Sequence, residues 1–507
     1  MAASPDEIRH LLSRTGFGVP KPDERDAFTG LDHGIAVERL LDAVGPKAAT
    51  ADPTFVVVPG AAAQRGLTRD ERQVLQRQRA MDGNNMKAWW WGEMLETPSP
   101  LTEHMVLFWH NHFTSSLRKV KVPPLLFTQN TLFRTHATGN FATLLRAAAK
   151  DPAMLVYLDN NLNRAGAPNE NFARELLELF TLGEGHGYTE RDIQEAARAF
   201  TGWRFRPDGG FVNDPRSHDG GTKTFLGVTG ALNGNDILDV VLQQPRVAEH
   251  ITEKLWREFI SDTPDAAEVR RLAAIFRDGR YEVRPLLEAM LNSDAFRARD
   301  AHGTMVKSPV DLVVGTFRLI GATPREPRLL TALGRNLGQD LFDPPNVKGW
   351  PGGEEWIDTA NLPARHAFLF SATESLALLE NAAQQGSNAA RTRQQLRAQG
   401  AAGQVPPAQL PPAARLRLQQ QLQQQGAAPE TMAEGMTPPA APLPGGPPAQ
   451  LRAQINPRNL DVAEYRTLRA MDEDELAALV LPMAPVAPGD ATTTLGRLFL
   501  DPTYQLK

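Results

Sequence analysis

The sequence predicts a mainly α fold, a single large multi-helix domain with a small β-hairpin and a disordered Gln/Pro-rich insertion. Three observations lead to this prediction. Apolar residues recur at helical spacing along most of the chain, no set of alternating runs is long enough for a large sheet, and one segment changes composition sharply. A chain of 507 residues can also bury a sizeable core.

Ten segments show the helical pattern most clearly, with apolar residues three and four positions apart. They are Ala36 to Ala43, Arg69 to Leu95, Thr102 to His112, Ala142 to Ala149, Asn171 to Leu182, Glu190 to Phe200, Gln244 to Phe259, Asp265 to Phe276, Arg284 to Leu291 and Pro309 to Ile320. The hairpin is predicted where aromatic residues alternate on both sides of a Gly-rich turn, in Trp203 to Arg206 and Phe211-Val212.

The composition changes near Asn381. Residues 381–456 hold 15 Gln and 11 Pro, have no aromatic side chain, and carry six Arg against two Glu. Such a segment cannot bury enough apolar area to offset the entropy of ordering it. We therefore predict a disordered insertion with a short helix from Pro411 to Gln425, serving as a spacer or as a partner-binding arm. Residues 1–380 and 457–507 are predicted to form one helical domain around it, because a long surface insertion costs little.

Bulk properties exclude several classes of protein. The net charge of −5 gives no reason to expect nucleic-acid binding, and no apolar run approaches the length of a transmembrane segment. The absence of cysteine excludes thiolate chemistry, so a divalent metal would need His, Asp, Glu or Asn ligands and would be zinc, manganese, iron, magnesium or calcium. The N-terminus shows no signal peptide, which predicts a cytoplasmic protein or an export signal that has been left off.

Candidate catalytic side chains are most closely spaced between Asn169 and Gly183. Glu175 and Glu178 share one helix face, and Arg174 precedes Glu178 by four residues. A Glu-x-x-Glu pair on one face can hold a metal or supply an acid and a base, so the two glutamates and Arg174 are candidate catalytic residues. The alternative is a salt-bridge network between helices, which also perturbs pKa values.

Histidines supply the remaining candidates. His110 and His112 are candidate metal ligands, but residues two apart on a helix point in nearly opposite directions, so joint ligation requires an irregular helix end. One of them as a hydrogen-bonded core histidine is the alternative. His218 and Asp219 lie in a Gly-rich polar loop and are further candidate catalytic residues. We predict that His110 or His112 shares a pocket with Glu175 or Glu178 and with His218-Asp219.

These motifs together resemble one bacterial family, catalogued as domain of unknown function 1800. The matching segments are His10 to Gly18, Trp109 to Phe113, Asn169 to Gly183, Gly187-Tyr188-Thr189 with Thr201-Gly202-Trp203, His218-Asp219 with Lys223 and Leu226-Gly227, and Pro344 to Gly353 with Trp356-Ile357. The resemblance covers nearly the whole chain outside the Gln/Pro-rich insertion.

The resemblance implies a mainly helical protein of uncharacterised activity that is often exported, commonly through a twin-arginine signal, to the periplasm or beyond. It also implies a partner, because members are commonly encoded beside a second exported family that resembles sulfatases. The chain departs from the pattern at Phe180, where the family often has His, and in having no export signal.

Two functions follow as hypotheses. The first is a hydrolase with a His/carboxylate site, either metal-free or completed by a divalent metal ion. Hydrolysis is the favoured reaction class because no dinucleotide, flavin or phosphate-loop fingerprint is present. The second is a non-catalytic partner or scaffold that acts with a neighbouring exported sulfatase-like protein.

Overall fold

Helices form nearly all of the regular structure, which confirms the predicted fold class. The computed structural model describes residues 2–56, 66–206, 210–322, 324, 326–377, 467–487 and 489–507. The predicted insertion at 381–456, with its helix from Pro411 to Gln425, lies outside the described residues. The helices before the first strand are α1 (Pro5–Thr15), α2 (Pro22–Phe28), α3 (His33–Asp42), α4 (Arg69–Glu96), α5 (Pro100–His112), α6 (Leu117–Val120), α7 (Pro123–Thr135), α8 (Phe141–Ala148), α9 (Pro152–Tyr157), α10 (Asn171–Glu175) and α11 (Glu190–Ala199), with a 3₁₀ turn at Asn160–Leu162 and a π-helical turn at Leu176–Thr181.

Two small antiparallel hairpins follow these helices. Strand β1 (Trp203–Phe205) pairs with β2 (Phe211–Asn213), which confirms the predicted hairpin. The second hairpin, β3 (Lys223–Phe225) with β4 (Val228–Gly230), was not predicted. Its turn residues Leu226 and Gly227 both have positive φ, 46° and 83°. Leucine rarely adopts that conformation, and the turn contains neither Asn-Gly nor Asp-Gly, the pairs that usually indicate such a hairpin. The turn therefore could not be predicted from its residues.

The second half of the domain is again helical. Its elements are α12 (Gly234–Leu242), α13 (Pro245–Phe259), α14 (Ala266–Asp278), α15 (Val283–Leu291), α16 (Asp294–Arg297), α17 (Pro309–Leu319), α18 (Arg328–Asn336), α19 (361–377, up to the end of the described range), α20 (Glu473–Val480) and α21 (Thr494–Phe499), with 3₁₀ turns at Arg299–Ala301, Gly353–Trp356 and Pro502–Gln505. Within the described residues no helix has both the length and the apolar character needed to cross a bilayer.

Local sequence explains where the helices begin. Ser4, Thr68 and Thr189 each accept a hydrogen bond from a backbone N–H of the first turn, and the acidic residue three positions later bonds back to the cap. This reciprocal capping box satisfies two amide groups that a helix end would otherwise leave unpaired. Pro100 and Pro245 occupy the first positions of α5 and α13, where a missing N–H costs nothing.

The core is rich in aromatic side chains. The rings of Trp109, Phe113 and Phe141 stack at centroid distances of about 6 Å, and all three are fully buried. A buried ion pair lies beside them, where the Arg134 guanidinium donates two hydrogen bonds of 2.7 and 2.8 Å to the Glu103 carboxylate. This pair fixes α5 against α7, because a buried charge must keep its partner.

Candidate functional site

A cleft of about 620 Å³ opens between α5, α13 and the 344–356 loop. This volume is in the range of small-molecule sites. A larger cavity of about 930 Å³ lies between α1 and α20, but Asp6 on its wall is already paired with Arg9 and His302. We place the candidate site in the smaller cleft because the Trp109-to-Phe113 and Pro344-to-Gly353 motifs both contribute to its wall.

Helical spacing brings one face of α5 to the cleft. His104, Phe108 and His112 lie four residues apart, so they project from the same side of the helix and all line the cleft. Glu103 and His110 belong to the opposite side, where they face α7. The helix is regular through His112, so the two motif histidines point apart as the spacing predicts.

His112 is held as a neutral imidazole with one free nitrogen. Its Nε2 lies 3.2 Å from the carbonyl oxygen of Phe180. A carbonyl can only accept, so Nε2 carries the proton. Burial, and then the nearby charge of Lys254, hold the pKa of His112 well below its usual range. Nδ1 is therefore an unprotonated base, and none of the described residues forms a hydrogen bond with it.

The acceptor for His112 belongs to the π-helical turn at Leu176–Thr181. The sequence predicts an uninterrupted α-helix from Asn171 to Leu182, whereas α10 ends at Glu175 and the chain continues with the wider turn. The last carbonyls of any helix have no partner within it, so they are free to accept other donors. Here Phe180 accepts from His112, and Leu179 accepts from His250 Nε2 at 3.0 Å.

Lys254 brings an unpaired cation to the same cleft. It follows His250 by one helical turn on α13, and the part of the chain that the structure describes offers its ammonium group no hydrogen bond or ion pair. Burial, and then the charge of Arg257, lower the pKa of Lys254 to about 8. The lysine therefore exchanges its proton near neutral pH.

Two close side-chain contacts form the floor of the cleft. His104 Nε2 lies 2.7 Å from a carboxylate oxygen of Glu258, and Lys507 Nζ lies 2.7 Å from Asp311. Burial alone would raise the pKa of Glu258, but the contact with His104 outweighs it and lowers the pKa. Burial alone would also raise the pKa of Asp311, but the charge of Lys507 and the effect of His104, together with hydrogen bonds from Lys507 and Ser308, lower it. Both acids are therefore held as carboxylates.

Asn111 fixes the loop that forms the facing wall. Its side-chain oxygen accepts a hydrogen bond of 2.6 Å from the backbone N–H of Trp350. The backbone of Gly349 approaches so closely that a Cβ atom there would lie 2.1 Å from the same oxygen, and its φ is +95°. Both facts require glycine at this position. Asn111 thus connects two of the motifs that the sequence singled out.

His110 does not reach the cleft. Its ring lies among Trp90, Phe133 and Phe342, and its Nε2 accepts a hydrogen bond of 3.1 Å from Asn130. Burial, and then the charge of Arg134, hold the pKa of His110 well below its usual range. His110 is therefore a hydrogen-bonded core histidine, which was the alternative to metal ligation for one of the two histidines.

Arg174, Glu175 and Glu178 lie on a different surface, beside the Gly183-to-Tyr188 loop. Arg174 pairs with Glu178 at 3.2 Å, with Glu170 at 3.3 Å and with Glu190 at 2.7 Å. Glu175 is half-buried, and burial, followed by the charge of Glu178, raises its pKa. The arrangement is the salt-bridge network that was the alternative to a catalytic pair.

His218 and Asp219 stabilise the turn that leads into the second hairpin. His218 Nδ1 lies 2.9 Å from the carbonyl oxygen of Thr201, and Asp219 pairs with Arg198 at 2.8 Å. The hydrogen bond to Arg198 lowers the pKa of Asp219. Across the described residues these two side chains form no hydrogen bond or ion pair with Glu175, Glu178 or His112, and the cleft lined by His112 includes none of the other predicted groups.

The predicted divalent metal finds no ligand set in the ranges that the structure describes. Within them no three His, Asp or Glu side chains are arranged to hold an ion. His110 and His112 lie on opposite sides of α5, and each already uses Nε2 in a hydrogen bond. We derive no step through a metal.

The sequence did not identify Lys254, Arg257 or Glu258 as candidates. All three lie on α13, among the apolar residues Ile251 and Leu255, and a charged residue at such a position usually marks a solvated edge. Only the spacing of His250, Lys254 and Arg257 on adjacent turns could have suggested a shared surface. His112, which lines the same cleft as Lys254 and Arg257, is distant from them in the chain.

Comparison with known proteins supports the resemblance seen in the motifs. The family model described as protein of unknown function (DUF1800) matches residues 10–494. No curated protein matches the chain, and no solved structure does. The match spans both sides of the Gln/Pro-rich segment and includes α5, α13 and the 344–356 loop. The chain belongs to the DUF1800 family.

Proposed function

We propose that the protein is a hydrolase whose active site is the cleft between α5 and α13, with His112 as general base. One observation carries the proposal. His112 is 2% exposed, its Nε2 donates its proton to the Phe180 carbonyl, and its Nδ1 has no hydrogen-bond partner in the part of the chain that the structure describes. Buried polar atoms nearly always have a hydrogen-bond partner, and exceptions often mark a functional group.

The tautomer suits this role. A general base must be unprotonated at neutral pH, and burial keeps His112 in that state. Water that enters through the cleft would give a proton to Nδ1 while its oxygen attacks the electrophilic atom of the substrate. The imidazolium would then pass that proton to the leaving group as its bond breaks, so that no other reactant is needed.

Lys254 supports the proposal through its charge. Negative charge develops on the substrate during attack by water, and a cation already positioned at that point stabilises the charge. Lys254 lies close enough to His112 to lower the pKa of the imidazole. In this proposal the lysine binds the developing anion and leaves proton transfer to His112.

Replacing His112 by Gln tests the proposal. The Gln amide can still donate to Phe180, so the fold keeps its hydrogen bond while the basic nitrogen is lost. We would compare wild type and variant on nitrophenyl esters of acetate, phosphate and sulfate, on nitrophenyl glycosides and on a peptide library. We expect hydrolysis of at least one class, and a loss of about 10² to 10⁴ in kcat/KM in the variant.

The matched control is His186→Gln, which changes an exposed histidine in the Gly183-to-Tyr188 loop. Circular dichroism and the thermal midpoint show whether each variant is folded. Full activity in folded His112→Gln would overturn the proposed role of His112. Absence of turnover on every substrate class would overturn the hydrolase and favour the second hypothesis from the sequence, a non-catalytic partner of a sulfatase-like exported protein.

A further inference from the structure

Two cations on α13 face the cleft without a counter-ion. Lys254 and Arg257 are three residues apart, so they are neighbours on the helix surface, and both line the cleft. Neither forms a hydrogen bond or an ion pair within the described ranges. Two of the acids beside them are already engaged, Glu253 with Arg246 at 2.6 Å and Glu258 with His104 at 2.7 Å, and Asp262 is a third acid that lines the cleft.

Placing two like charges together at a concave site is unfavourable, and here burial, followed by the charge of Arg257, lowers the pKa of Lys254. An anion between them would remove this repulsion and supply the missing counter-charge. Such an anion would also lie beside His112, whose unpartnered Nδ1 is an independent sign that the cleft is built for a ligand.

The opposite wall limits the shape of the ligand. Glu354 and Glu355 line the same cleft from the 3₁₀ turn at Gly353–Trp356, and both are exposed. Their charges repel an extended polyanion that would run across the mouth of the cleft. A compact anionic group can still reach Lys254 and Arg257 from the centre of the cleft.

We infer that the substrate carries one compact anionic group, a carboxylate, phosphate or sulfate, that binds between Lys254 and Arg257 and places the bond to be cleaved beside His112. This inference rests on the proposed function for the last step only. Anion binding itself depends on the two cations alone, so it can be measured without catalysis.

Titration calorimetry on the full chain tests the subsite. The probes are sodium phosphate, sodium sulfate and sodium acetate at constant ionic strength, with sodium chloride as the reference. We expect millimolar binding of at least one of the three anions. The one that binds most tightly identifies the anionic group. No binding above the chloride reference by any of them would overturn the inference.

Variants locate the binding. Lys254→Met keeps the volume of the side chain and removes its charge, and it is expected to weaken binding by about tenfold or more, since hydrogen bonds to charged groups are among the stronger ones. Arg257→Gln should weaken it to a similar extent. The matched control Arg270→Gln changes an exposed arginine on α14, away from the cleft. Equal weakening in this control would show non-specific binding and overturn the assignment.

His112→Gln separates the two proposals. It should retain anion binding within about twofold while losing hydrolysis, because it leaves both cations in place. Loss of hydrolysis without anion binding in the wild type would overturn the subsite and leave the hydrolase standing. Anion binding together with full hydrolysis in this variant would overturn the role of His112 and leave the anion subsite standing.

Discussion

Nε2 of His112 lies 3.2 Å from the carbonyl oxygen of Phe180, and this contact joins the Trp109-to-Phe113 motif to the Asn169-to-Gly183 motif. Phe180 contributes through its backbone carbonyl and not through its side chain. The carbonyl is available because the helix ends one residue later, at Thr181. The end of the π-helical turn therefore sets which nitrogen of His112 holds the proton.

The first prediction concerns this tautomer. Nitrogen NMR of histidine-labelled protein should show His112 as a neutral imidazole protonated on Nε2 at about pH 6.5, where an ordinary histidine is half protonated, because burial disfavours the imidazolium. His112→Gln assigns the signal by removing it. A signal that titrates near pH 6.5, or one with the proton on Nδ1, would contradict the assignment.

The second prediction is a loss of stability in acid. Burial lowers the pKa of His10 to about 2 and that of His250 to about 4, and holds those of His110 and His112 well below the usual value. Below about pH 6.5 the unfolded chain takes up protons at these sites and the folded chain does not. The free energy of unfolding should therefore fall as the pH drops from 6.5, by about 1.4 kcal/mol per pH unit for each histidine.

Urea unfolding at several pH values measures this slope. His250→Gln should reduce the slope by about 1.4 kcal/mol per pH unit between pH 6.5 and the folded-state value near 4, since one proton-binding difference is removed. The exposed His186→Gln is the control. Unchanged slopes in both variants would show that His250 does not contribute as the structure implies.

Much of the fold follows from the sequence because its signals are local. Thr189 and Asp192 cap α11, which begins at Glu190 as predicted, and the predicted helix from Arg69 to Leu95 differs by one residue at its end. The site does not follow, because its contacts are distant in the chain. The spacing of His110 and His112 shows that they point apart, but no local pattern says which one reaches a cleft or that Lys254 lies beside it.

The third prediction compares two glutamates that the sequence alone cannot rank. Glu103→Gln should cost about 3–5 kcal/mol, because it leaves the Arg134 guanidinium buried with a neutral partner. Glu178→Gln should cost less than about 1 kcal/mol, because its side chain is 22% exposed and Arg174 keeps its contact with Glu190. Chemical denaturation of the two variants checks the order. Similar costs would mean that the ion pairs of Arg174 stabilise the fold as much as the buried Glu103–Arg134 pair does.

The fourth prediction concerns the wall of the cleft. Asn111→Ala removes the acceptor for the Trp350 N–H and should cost about 1–3 kcal/mol. Gly349→Ala should cost at least as much, because its new Cβ would lie 2.1 Å from the Asn111 side-chain oxygen at a φ of +95°. In the double variant that clash is absent, so the combined cost should be less than the sum of the single costs. Additive costs would show that the two residues do not interact.

The fifth prediction tests whether the segment after the insertion belongs to the same domain. Residues 467–507 contact the N-terminal part through buried polar groups. The Lys307 N–H donates to the Gln505 carbonyl at 2.8 Å, Arg365 donates to the Gln505 side chain at 2.7 Å, and the hydroxyl groups of Thr316 and Tyr504 are 2.8 Å apart. Separating the two parts of the chain would leave these hydrogen-bond donors and acceptors without their partners, which is costly.

A protease recognition sequence placed after Gln425 allows the chain to be cut once within the predicted insertion. After cleavage the two fragments should elute together on size exclusion, and the thermal midpoint should change little, because the contacts at Gln505 and Tyr504 do not depend on the connection. Tyr504→Ala in the same background is the comparison. It removes a fully buried ring and should lower the thermal midpoint of the cut protein more than that of the uncut protein. The uncut chain still holds its segments at high effective concentration. Separation of the wild-type fragments in native buffer would contradict the single domain predicted for residues 1–380 and 457–507.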